Sequence, residues 1–120
     1  MWEPAETNTH QDHVIAHVIG ASVLGYFVWD ETAYLLLDIG FIWNIYLDAE
    51  MGLMPQVVAL AELKMDEDLR RWERVAEPSP IQSADLFQSE DGRRLVLTCE
   101  ASSLTLETSF TTRVIEIQVI

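Results

Sequence analysis

A chain of 120 residues that is 49% apolar and 22% charged can build one globular domain with its own core, and the composition excludes intrinsic disorder. A net charge of −13 opposes nonspecific attraction to nucleic acid and to anionic lipid; it suits a basic protein partner or a divalent cation. The single Cys99 excludes an internal disulfide and fits a reducing compartment, and the lack of any CxxC or Cys/His cluster excludes a structural zinc site.

Residues 1–12 are polar, contain Pro4 and read as a flexible N-terminal arm ahead of a single α+β domain over 13–120. Trp2 stands out in that arm, because an exposed indole usually packs on something, here a candidate contact with a partner subunit. Residues 14–29 and 33–47 are two apolar runs separated by Asp30, Glu31 and Thr32. The first is 16 residues long, short of the roughly 20 that a helix needs to cross a bilayer, and the second contains Asp38. No basic residue flanks either run, and the chain opens Met-Trp-Glu-Pro without the basic start of a secretory signal. A soluble, cytoplasmic protein with no membrane and no nucleic-acid partner is the expectation.

Over residues 33–48 every odd position is apolar, whereas Asp38, Asn44 and Asp48 fall on even ones. This two-residue period predicts one long strand with a buried face, bent or bulged at Gly40. Residues 14–29 alternate less cleanly, with their even positions almost all apolar and His13 and His17 on odd ones, and they read as the partner strand. With Asp30 and Glu31 as a two-residue turn, paired positions sum to 61. That register joins the two apolar faces; on the other face it sets His13 against Asp48, His17 against Asn44 and Val23 against Asp38. A bulge at Gly20, Gly25 or Gly40 would shift the details.

Residues 48–55 read as a loop, and 56–65 as either a third strand or the start of a helix. Asp66 as N-cap, Glu67 and Asp68 in a first turn and Arg70, Arg71 and Arg74 toward the end predict the main helix over 67–77, stopped by Pro78 and Pro80. Asp91-Gly92 predicts a hairpin between residues 86–90 and 93–97. Ala101, Ser102 and Ser103 turn the chain into a strand over 104–108, and residues 113–120 alternate as a last strand. The expected fold is α+β: a mainly antiparallel sheet of five to six strands, made of a long N-terminal hairpin and a C-terminal meander, with one main helix against it.

Chemistry-bearing residues are sparse. His10, His13 and His17 lie near Asp12; a metal shared by His13 and His17 requires a helix there, because on a strand they stand roughly 13 Å apart. On the strand reading, each histidine instead bonds its cross-strand neighbour, and a His13–Asp48 couple has acid/base character. Asp38, inside an apolar strand, needs a partner or a cavity, and Tyr34, Asn44 and Tyr46 share its predicted face. Cys99 lies on the face of Leu95 and Leu97 and reads as core. No calcium loop, phosphate loop or dinucleotide fingerprint occurs, and no cofactor or metal is implied. The leading expectation is a non-enzymatic protein-interaction module acting as a homodimer, with a profile that acidic immunity, inhibitor and chaperone-like proteins share in composition only. The competing one is a small-ligand-binding domain or acid/base enzyme with its pocket on the His13, His17, Asp38 and Asn44 face.

Overall fold

The computed structural model describes residues 2–29, 31–46, 51–55 and 73–120. Its elements in chain order are β1 (Glu3–Pro4), α1 (Thr9–Val18), β2 (Val23–Trp29), β3 (Thr32–Leu37), β4 (Phe41–Tyr46), β5 (Met51–Pro55), β6 (Glu73–Arg74), β7 (Ile81–Gln88), β8 (Gly92–Cys99), β9 (Ser103–Ser109) and β10 (Ile115–Val119). They form two five-stranded antiparallel sheets, in the orders β1-β7-β8-β9-β10 and β5-β4-β3-β2-β6, with one helix among the described residues. The α+β class and the antiparallel pairing are as expected. The strands divide between two sheets rather than forming one, and the helix among the described residues, Thr9–Val18, stands where the arm and the first strand were expected.

That helix is the principal correction. Residues 9–18 are helical, so the first apolar run is not one strand but a helix, a turn and then β2. Asn8 caps it: its side-chain oxygen accepts the Gln11 N–H at 2.8 Å, and the Asn8 N–H donates to Gln11 Oε1 at 3.0 Å. This reciprocal capping box satisfies two otherwise orphaned donors of the first turn. Gln11, Val14 and Val18 are the helix's buried residues, a helical spacing. Val14 and Val18 are four apart, and a spacing of four satisfies both the helical and the strand period, which is how the alternation misled. The helix ends at Ile19, and Gly20 follows with φ of +90°, a conformation that only glycine adopts without strain.

The second apolar run also divides. A strand of 16 residues would span roughly 50 Å at about 3.3 Å per residue, more than the 41 Å of the molecule's longest axis. The chain turns back instead at Asp38, Ile39 and Gly40, with the Gly40 N–H donating to the Leu37 carbonyl at 3.3 Å and Gly40 at φ +81°. In the resulting β3/β4 pairing Ala33 faces Ile45 and Leu35 faces Trp43, so odd residues remain on one face after the turn. The periodicity identified the face correctly while concealing the reversal. In the β2/β3 hairpin the expected register holds over residues 25–29, with Tyr26 opposite Leu35 and Val28 opposite Ala33. A bulge between Val23 and Gly25 then shifts it and brings Val23 opposite Leu37.

Residues 51–55, expected as part of a loop, are β5, an edge strand on β4 in which Met51 is buried opposite Ile45. Residues 3–4 and 9–12 of the expected arm belong to β1, which pairs with β7, and to the first turn of α1. Of the helix expected over 67–77, Glu73 and Arg74 form β6 on β2, and residues 67–72 lie outside the described residues, as do 56–65.

The C-terminal meander forms as expected. The hairpin at Asp91-Gly92 uses a longer loop than two residues: Gln88 faces Arg93, and the Ser89 N–H donates to the Gly92 carbonyl at 3.0 Å. The shift is by two positions and so leaves every side chain on its expected face. Both sheets contribute to one core, in which Leu35, Leu37, Trp43 and Ile45 of one join Leu86, Leu95, Leu97 and Leu106 of the other, with Val14 and Val18 of α1. Cys99 is buried there too, as expected.

Candidate functional site

The residues singled out by sequence are dispersed by the fold. His13 and His17 lie on the exposed side of α1, where one ring nitrogen of His17, Nδ1, sits 2.8 Å from the His13 carbonyl. A carbonyl only accepts, so that nitrogen carries the proton and leaves Nε2 facing outward. His10 uses its Nε2–H in the same way on the Met51 carbonyl at 2.9 Å, tying α1 to β5. The helix puts His13 and His17 at the spacing that a shared metal needs, but among the described residues no three His, Cys, Asp or Glu side chains gather at a metal-holding spacing. The cross-strand pair expected between His17 and Asn44 is not formed, because the histidine's segment is a helix and Asn44 lies between Tyr34 and Gly52. Asp48 lies outside the described residues.

Asp38 leaves the strand altogether. It sits in the β3–β4 turn, where its carboxylate accepts the Ser22 N–H at 2.9 Å and its own N–H donates to the Ser22 carbonyl at 3.0 Å. This local pairing satisfies the acid at the surface and links the turn to the start of β2. Tyr34, Asn44 and Tyr46 do share the face of their sheet that points away from the core. Tyr34 stacks on Phe27 there, with ring centroids 4.5 Å apart and planes at 11°. Leu36, Ile42, Thr32 and Asn44 on the same face are buried, so it is not an open cleft. Three of the seven proposed site residues are thus neighbours, and His13, His17 and Asp38 are elsewhere.

Two features went unread in the sequence. The first is the outer face of the C-terminal sheet, where Arg94 pairs with Glu107 across β8 and β9 and its guanidinium lies 4.5 Å from the centre of the Trp2 ring. The lone tryptophan of the N-terminal segment therefore packs on its own chain, in a cation–π stack that closes one side of a groove of about 390 Å³ bordered by Asp91, Glu107 and Glu116. Only the sheet register brings Arg94 and Glu107 opposite each other, so the signal was not local.

The second is the edge of that sheet. Among the described residues β10 pairs with β9 alone, which leaves its other side without a strand. Three of the exposed large apolar residues, Val114, Val119 and Ile120, lie in or beside this edge, whereas Phe110 stacks on Arg93 of β8 and Ile19, Ile39 and Tyr46 are scattered over the remaining surface. An unpaired row of N–H and C=O groups flanked by apolar side chains is a template for another strand. Alternation in residues 113–120 signalled the strand, but its place at an edge is a property of the topology.

No protein-family model, curated protein or solved structure matches this chain. No helix among the described residues is long and apolar enough to cross a membrane.

Proposed function

We propose that this chain is a small cytoplasmic, non-enzymatic protein-interaction module that acts as a homodimer, with β10 as its docking element. The observation that carries the reading is the coincidence of a five-residue strand with one side unpaired among the described residues and the cluster of exposed apolar residues around it. Edge strands in monomeric proteins are commonly blunted by lysine, proline or very short length. β10 reads Ile-Glu-Ile-Gln-Val and has none of these. The charge of −13 suits a basic protein as a further partner, attracted over a longer range than the edge itself acts. The dispersal of His13, His17 and Asp38 speaks against an acid/base site built from them.

Sedimentation velocity over a wide concentration range tests the reading. The expected result is a dimer for the wild type and a monomer for Val119→Lys, with the two chains giving the same far-UV circular dichroism. Val119 is half-exposed, so a lysine there extends into water and leaves the core intact. A wild-type protein that remains monomeric at high concentration overturns the reading.

A further inference from the structure

We propose that a second copy of this chain docks antiparallel along β10 in one register, with the two-fold axis passing through Ile117. This rests on the homodimer reading and adds the geometry of its interface.

Backbone alternation decides which groups face outward. Ser103 and Ile120 exchange both hydrogen bonds, the Ser103 N–H to the Ile120 carbonyl at 3.0 Å and the Ile120 N–H to the Ser103 carbonyl at 2.9 Å. In an antiparallel ladder such doubly bonded pairs recur at every second residue. With Val119 opposite Leu104 and Ile117 opposite Leu106, the residues bonded to β9 are therefore Gln118 and Glu116. Ile115, Ile117 and Val119 direct their N–H and C=O groups away from the sheet.

Two antiparallel copies can bond only by matching outward groups with outward groups. One register engages all of them: Ile115 meets Val119 of the second copy, Ile117 meets Ile117, and Val119 meets Ile115. Sliding by two residues in either direction leaves an end residue without a partner. It also puts Glu116 opposite Glu116, or Gln118 opposite Gln118. A like-charge pair directly across a ladder is destabilising, and this chain already carries −13. In the centred register each Glu116 faces a Gln118, whose amide can donate to the carboxylate.

The apolar residues agree with the same axis. Extending the centred register by one step brings Ile120 of each copy alongside Val114 of the other. These are the two most exposed of the large apolar residues among those described, at 79% and 52%. The outer row Val114, Glu116, Gln118, Ile120 is thus complementary to itself when reversed: apolar against apolar at both ends, acid against amide between them. A two-fold interface needs this property, since each patch meets its own copy.

Mixed cross-linking tests the register. In the centred arrangement Glu116 and Gln118 of opposite copies form a pair not bonded through the backbone, with Cα atoms about 4.5 Å apart, within the range a disulfide bridges. Both side chains are exposed, so Glu116→Cys and Gln118→Cys leave the fold undisturbed. The two variants, mixed and treated with oxidised glutathione, are expected to give a covalent heterodimer. Each variant alone, and the wild type with only its buried Cys99, is expected to remain uncrosslinked. Self-cross-linking of Glu116→Cys alone or of Gln118→Cys alone would establish a slid register and overturn the proposal. A sedimenting dimer that forms no cross-link would move the interface away from β10 while leaving the homodimer in place. A monomer in the sedimentation experiment would remove both readings.

Discussion

Among the described residues two five-residue strands end their sheets, β5 and β10, and they are built on opposite principles. β5 reads Met-Gly-Leu-Met-Pro: it has a glycine opposite Asn44, and it closes with a proline that has no N–H to offer. Such a sequence pairs on one side and is poorly suited to pairing on the other. β10 alternates isoleucine and valine with Glu116 and Gln118 and keeps every N–H. The same contrast explains why one was legible and the other was not. Glycine and proline made β5 resemble a loop, whereas β10 carried a two-residue period that needed no context. An edge strand weak in propensity is formed by its neighbour; one strong in propensity is able to recruit a neighbour.

The sheets behind these edges share one core, and that gives the largest expected effect. Leu35 and Leu97 are both fully buried, one in each sheet. Leu35→Ala and Leu97→Ala should each lose about 2–5 kcal/mol of stability in urea unfolding. Both variants should unfold in one transition seen alike by fluorescence and circular dichroism. Two separated transitions would show the sheets to be independent and break the comparison. Gly92→Ala comes next, at about 1–3 kcal/mol, because a Cβ there runs into the Thr108 carbonyl across the β8/β9 ladder. Its cost should fall on the sheet that ends in β10, and Val119-dependent dimerisation should weaken with it.

Removing the helix cap with Asn8→Ala should cost about 1 kcal/mol, read as a lower melting temperature. The helix packs on β5, so this variant addresses the other edge and should leave β10 pairing unchanged. Smaller still is an alkaline effect at β2. Burial first, and then the hydrogen bond to and charge of Glu73 at 3.1 Å, push the Tyr26 phenol above its ordinary 10.0. The raised value means that ionisation is opposed in the folded state. Its contribution is complete below pH 10.0 and is lost as the pH rises through the raised value. Tyr26→Phe should flatten that alkaline decline in a pH series of melting temperatures and change little at neutral pH. The last expectation concerns salt: screening two copies of charge −13 should tighten the dimer, whereas salt should weaken a complex with a basic partner.

What could be read in advance followed the range of the interactions involved. The β2/β3 register over residues 25–29 was derivable because hairpin geometry depends on a turn and a parity, both local. The capping box at Asn8 and Gln11 is equally local and the sequence carries it openly, but Val14 and Val18 fit either period and mask the helix that it starts. The candidate site fared worse. Placing His13 and His17 opposite Asp48 and Asn44 depended on the wrong element for residues 9–18, and a single error of period displaced every side chain built on it. Asp38 was legible as a residue in need of a partner, but the partner, the Ser22 N–H, became visible only when the turn was formed.

By itself the sequence determined the class of the fold, the inward faces of its strands, the C-terminal meander and a strongly acidic net charge. These follow from hydrophobic period and charge, which act residue by residue. Only the tertiary structure decided that the strands divide into two sheets, that Trp2 stacks on Arg94, and that β10 ends its sheet among the described residues. The physical reason is that strand order and edge exposure are set by long-range pairing, which is a property of which strands meet, and a periodicity records only which side of each strand is buried.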